Sequence, residues 1–324
     1  MRRRTGMSAA MAVLLCSASA WAAQSPAPAQ TPAQSNDWSI EQVVVSRHRS
    51  GPPIWHATRG NADVAILAII EPLPEDYQWN SNEIAAVMDH AQRVILQPRA
   101  EANILQGVWF LLTRRALLSP PDGKTVWDYL DPALASRFAT ARDMLDEDKD
   151  RYDDNVPAIA ALRLENDYRH VDKMTIDEPE DTIRHLARAR GLKVDHVATY
   201  DAMPSIEQIL KQPPGSASKC VDAAVTDVNI ARRHAAAAAE AWAIGDVAGI
   251  KANWSQPKLY DCLLEISPLV TALDARAAAD TVKAITAALD AGGNAVVVVN
   301  VGLLLRTNGV LDRLTASGVT LKEP

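Results

Sequence analysis

Basic charge is scarce in this chain and is not gathered into patches. Its 324 residues carry 33 Lys and Arg against 40 Asp and Glu, a formal charge of −7. Outside the N-terminus the arginines come only in scattered pairs, which argues against nucleic acid or an anionic membrane surface as partner. Long hydrophobic runs are missing too. Beyond the N-terminus no segment reaches the roughly 18 uninterrupted apolar residues of a membrane helix, so the chain is not expected to span a membrane. There is no Gly-x-Ser-x-Gly, no zinc-finger spacing and no His-x-x-x-His; His48, His90, His170, His185, His196 and His234 are dispersed. No internal repeat with a period of roughly 20–50 residues is visible. What remains, 48% hydrophobic and 23% charged, is the ordinary composition of a chain that buries a core.

The N-terminus has its own character. Arg2, Arg3 and Arg4 precede a short apolar stretch from Met7 to Leu15 and then Ala20-Trp21-Ala22, the order of a cleavable signal peptide over residues 1–22. Cys16 follows Leu15, where a lipid-attachment signal would have a small residue, and is read as part of the leader. Removing the three leader arginines takes the formal charge from −7 to −10. Residues 23–37 are rich in Pro, Ala, Gln and Ser and read as a flexible linker. Residues 38–324 are read as one domain. The leader implies a periplasmic or secreted protein. In that oxidising setting the two remaining cysteines, Cys220 and Cys262, read as a disulfide. It closes a loop of about 40 residues and is worth about 3–4 kcal/mol.

Strand signals cluster at the two ends. Gln42–Ser46 is β-branched; Ile54–Thr58 and Val64–Ile70 flank the turn residues Arg59-Gly60-Asn61, which predicts an antiparallel pair. Val94–Leu96 is a further short strand, and Ala295–Asn300 is a continuous apolar run of the kind buried on both faces. The middle is helical. Ile104, Leu105, Val108, Leu111 and Leu112 recur at helical spacing between Glu101 and Leu118 and predict a core-facing helix. Asp131–Met144 and Val156–Tyr168 repeat the pattern. Asp177-Glu178-Pro179-Glu180 opens another helix, which Gly191 ends before a strand over Lys193–Thr199. Asp222–Ala243 and Val270–Leu289 are long helices. The expected class is α/β (α+β), with a mixed central sheet built from both ends of the chain and a helical middle region.

Two short motifs invite sharper readings that the residues do not sustain. Ser216-Ala217-Ser218-Lys219 matches Ser-x-x-Lys, but the companion Ser-Asp-Asn and Lys-Thr-Gly of penicillin-recognising enzymes are missing; it reads as a loop into a helix. Asp122-Gly123-Lys124-Thr125 ends like a phosphate loop without the earlier glycine or a preceding strand; it reads as a turn before a helix at Val126.

The blocks at the two ends together resemble the TraB/GumN family, which is related to the TIKI-type metallopeptidases. The first block is Val64–Ile70 followed by Glu71-Pro72-Leu73-Pro74, then Trp79, a helix from Ser81 to His90, and Val94–Leu96 ending at Gln97. The last is Val296–Val299, Asn300-Val301-Gly302-Leu303-Leu304, Asn308-Gly309 and Ser317-Gly318. Between them, Ala241-Trp242-Ala243-Ile244-Gly245-Asp246 is similar to the family's Trp-x-x-Gly-Asp. The resemblance implies a divalent-metal hydrolase, with Gly-x-x-His at the first strand tip, Glu at the second and in the Leu-Glu-Thr strand, Gly-Ala-x-His-Leu at the last and an Arg-Asn pair before it. Here those positions read Ala68-Ile69-Ile70-Glu71, Gln97, Ala198, Leu303, and Arg276 followed by Ala277. Leucine and alanine cannot ligate a metal.

The expected function is therefore that of an exported, non-catalytic descendant that acts by binding, with no cofactor. Glu71, Gln97 and Asn300 are the binding remnant at the mouth of the ancestral cleft, where Gln97 and Asn300 would bond each other or a ligand. The alternative is a divergent metal-dependent peptidase holding Mn or Co through Glu71, Glu75, Asp76 or His56. A third reading, an accessory to envelope or exopolysaccharide assembly, rests only on where related sequences occur.

Overall fold

The computed structural model describes residues 51–324 apart from 122. The leader with Cys16, the linker, the strand expected at Gln42–Ser46, His48 and Asp122 lie outside the described residues. From Gly51 the chain runs through β1 (Ile54–Arg59), β2 (Ala62–Ile69), β3 (Leu73–Pro74), α1 (Asn82–Met88), β4 (Arg93–Leu96), β5 (Arg99–Glu101) and α2 (Ile104–Arg114). The middle holds α3 (Pro132–Met144), α4 (Pro157–Val171), β6 (Met174–Thr175), α5 (Glu180–Ala189), β7 (Lys193–His196), β8 (Thr199–Asp201), α6 (Met203–Leu210) and the 30-residue α7 (Pro214–Ala243). It closes with α8 (Val247–Asn253), α9 (Lys258–Ile266), α10 (Pro268–Asp290), β9 (Ala295–Asn300), α11 (Val301–Leu305), α12 (Val310–Ala316) and β10 (Thr320–Lys322).

The fold is α/β, built on one mixed sheet in the order β10-β1-β2-β9-β4-β7. Strands β2, β9, β4 and β7 are parallel, while β1 runs antiparallel to both β2 and β10. The run Val296–Val299 explains why β9 is central. Its side chains alternate between two apolar layers: Val297 and Val299 pack with Ile285 and Leu289 of α10 and Leu314 of α12. Val296 and Val298 pack with Ile84 and Met88 of α1 and Ile183 and Ala187 of α5. A strand covered on both faces must be apolar at every position. A separate helical core joins α3, α4, α7 and α9, and the Cys220–Cys262 disulfide ties α7 to α9 with a Cα–Cα distance of 5.5 Å.

Three sequence expectations change. The helix after β5 is present but its apolar side faces outward: Ile104 is 83% and Leu112 75% exposed, and only Phe110 is buried. Ser216–Lys219 is not a loop, because Pro214 already occupies the first turn of α7 and the segment is helical. Lys193–Thr199 breaks into β7 and β8, and β8 leaves the main sheet to pair with β5. The segment after Thr125 is a short 3-10 helix, Val126–Tyr129.

Candidate functional site

Open α/β sheets present their loops for chemistry at the carboxyl ends of the parallel strands. Here β2, β4 and β9 end side by side, with Ile69 in register with Asn300. The residues just beyond those ends, Glu71 and Gln97, meet Asn300 there. Gln97 Nε2 donates to Glu71 Oε1 at 3.1 Å, and Asn300 Nδ2 donates to Glu71 Oε2 at 3.3 Å. The three residues singled out in the sequence thus converge, although the two amides bond the carboxylate and not each other. Asn300 also accepts from the Gly302 N–H at 2.8 Å through Oδ1, capping α11, so its amide orientation is set from both sides.

Around this triad stands a ring of residues that no sequence spacing signals. His196, at the end of β7, hydrogen-bonds the Gln97 carbonyl through Nδ1 at 2.9 Å, and its Nε2 lies 3.1 Å from Arg184 Nη2. Arginine can only donate, so Nε2 accepts, Nδ1 carries the proton, and the ring is neutral. Arg184 also pairs with Glu180 one helical turn earlier. Burial pushes the Glu71 carboxyl up to about 7; nearby Glu180 and, more weakly, Asp177 add to this, while the Asn300 and Gln97 amides pull it down.

The triad lines a cavity of about 460 Å³. Its far wall comes from the helical layer. Tyr260 of α9 and Arg306 both donate to Asp274 Oδ1 of α10 at 2.7 Å, and burial with that bond pushes the Tyr260 phenol up. Glu165 of α4 also faces the cavity, its carboxyl raised by burial. Trp254 closes one side. A Cβ on Gly302 would come within 2.6 Å of its ring, so the first turn of α11 needs glycine for the indole to lie against the backbone. Leu303 and Ala277, at the family's His and Asn positions, line the same cavity.

The metal that the resemblance implies does not fit these donors. Both Glu71 oxygens already accept amide N–H groups, and those amides turn positive edges toward the place a cation would take. Both nitrogens of His196 are engaged, and no group of three or more His, Cys, Asp or Glu among the described residues could hold an ion. The side chains offered as substitute ligands lie apart: His56 bonds Asp63 at 2.9 Å on the β1–β2 hairpin, and Glu75 and Asp76 are exposed and do not line the cavity. Ala198 follows β7 and offers only its carbonyl, which accepts from Arg99 N at 3.1 Å.

The TraB/PrgY/gumN family model matches residues 53–323. No curated protein and no solved structure matches the chain.

Proposed function

The chain belongs to the TraB/PrgY/gumN family, and on that premise we propose that it is an exported binding protein that no longer carries out metal-dependent hydrolysis. One observation carries the reading: the strand-tip carboxylate Glu71 is capped on both oxygens by Gln97 and Asn300. In a hydrolase of the family type the places of Glu71 and Gln97 would belong to ligands of a metal that acidifies water. The amides instead leave a polar cleft that holds a carboxyl group near its midpoint at neutral pH. Such a cleft suits a small polar ligand with hydrogen-bond donors for Glu71 and an apolar edge for Trp254.

The N-terminal leader supports export, and residues 38–324 are read as the one domain that does the binding. A role in envelope or exopolysaccharide assembly has no residue to argue for it. Equilibrium dialysis of the purified chain against Mn(II) and Co(II), with a peptide-library cleavage screen, tests the proposal. The expected result is no stoichiometric metal and no chelator-sensitive cleavage. One metal per chain that disappears in Glu71→Ala would overturn it and favour the peptidase alternative.

A further inference from the structure

Helix α2 is held to the body of the protein by very little. Phe110 packs with Met203 and Leu210 of α6, Gln106 reaches Asp201 at 3.2 Å, and Arg114 reaches Glu207 at 3.0 Å. The rest of the helix points outward and is greasy. Ile104 is 83% exposed, Leu105 79%, Val108 50%, Trp109 68%, Leu111 54% and Leu112 75%. At 100° per residue these six positions sweep about 160° of the helix, a broader stripe than a surface helix normally buries. Together they offer on the order of 800 Å² of apolar surface. That exceeds the largest patch of a typical monomer and equals the share each partner gives to a standard-size interface.

Charge decides what covers it. The N-terminal end of α2 is flanked by Asp201 and Glu101, which face each other in the β5–β8 pair, with Glu101 ion-paired to Arg99 at 2.8 Å, and its C-terminal end by Arg114, paired with Glu207 at 3.0 Å, and by exposed Arg115. Those pairings leave Asp201 at one end and Arg115 at the other, an arrangement that is self-complementary under a two-fold rotation, which lays two such helices antiparallel and opposes their dipoles.

We propose that α2 is the contact face of a two-fold homodimer, with the six exposed side chains of one copy packed on those of the other and Arg115 set toward the partner's acidic end. Sedimentation equilibrium of the purified full chain is the test. The expected result is a dimer that Trp109→Asp with Leu112→Asp converts to monomer while the circular dichroism and cooperative unfolding are kept, since Phe110 is untouched. A milder pair reads the register. Asp201→Arg or Arg115→Glu alone weakens the dimer by about tenfold, and the two together restore it. A chain that stays monomeric at its highest soluble concentration overturns the proposal. So does a dimer indifferent to both sets of changes, or a monomer that co-sediments with phosphatidylcholine–phosphatidylglycerol vesicles through the same residues.

Discussion

Trp242 of α7 donates its indole N–H to the carbonyl of Ala68, 174 residues earlier in the chain, at 2.8 Å. Ala68 lies near the end of β2, and Trp242 opens the segment Trp242-Ala243-Ile244-Gly245-Asp246. The bond joins two separately recognised blocks and pins the strand end from which Glu71 follows. The indole is fully buried and rests against Trp79 with ring centroids 5.2 Å apart.

Trp242→Phe removes the hydrogen bond and part of the packing, and Trp242→Ala leaves a cavity. Losses of about 2 and about 4 kcal/mol are expected, measured by urea unfolding. A Phe variant as stable as the parent would show that the indole N–H contributes nothing.

Glu71 makes stability depend on pH in a definite direction. Its carboxyl holds a proton to about 7 in the folded chain against 4.5 ordinarily. The folded state therefore binds that proton more tightly, and stability falls as pH rises from the lower value to the upper, then levels off. The span corresponds to about 3 kcal/mol at most. In Glu71→Gln the slope is expected to shrink to the remainder from Glu165 and Asp227, whose carboxyls burial also raises; unfolding curves on both sides of the window decide it.

This site shows where the sequence was readable. Strand tips were legible because β-branched runs such as Val296–Val299 announce their ends, and Glu71, Gln97 and Asn300 sit at those ends. His196, Arg184 and Asp274 were not legible. Each lies on an element whose own pattern is unremarkable, and each reaches the site through pairing or packing made by residues distant in sequence. The periodicity of α2 predicts its helix but not its outward apolar side, because spacing reports that one side is apolar and not what covers it.

Reduction of Cys220–Cys262 is expected to cost about 4 kcal/mol, given a separation of 42 residues. Denaturant unfolding with and without reductant, repeated on Cys220→Ala with Cys262→Ala, checks this. Equal midpoints would place the linkage outside the determinants of stability.

Restoring ligands tests the lost metal site from the other side. Leu303→His combined with Gln97→Glu puts an imidazole and a second carboxylate into the cavity that Glu71 lines. Co(II) affinity should rise by at least about tenfold, with visible ligand-field absorption as the readout. If the double variant binds no more Co(II) than the parent, those two positions are not equivalent to the family's ligands.

The order of the strands also governs when this protein can exist. Strand β9 lies between β2 and β4, although the ribosome makes it long after both. A nascent chain that stops short of residue 295 can pair β1 with β2 and β4 with β7 but cannot join the two pairs, and the apolar edges of β2 and β4 that face β9 stay unpaired until synthesis is almost finished. Non-local closure of this kind is slow, so the central sheet is completed only after the separate helical core of α3, α4, α7 and α9 has been made in full.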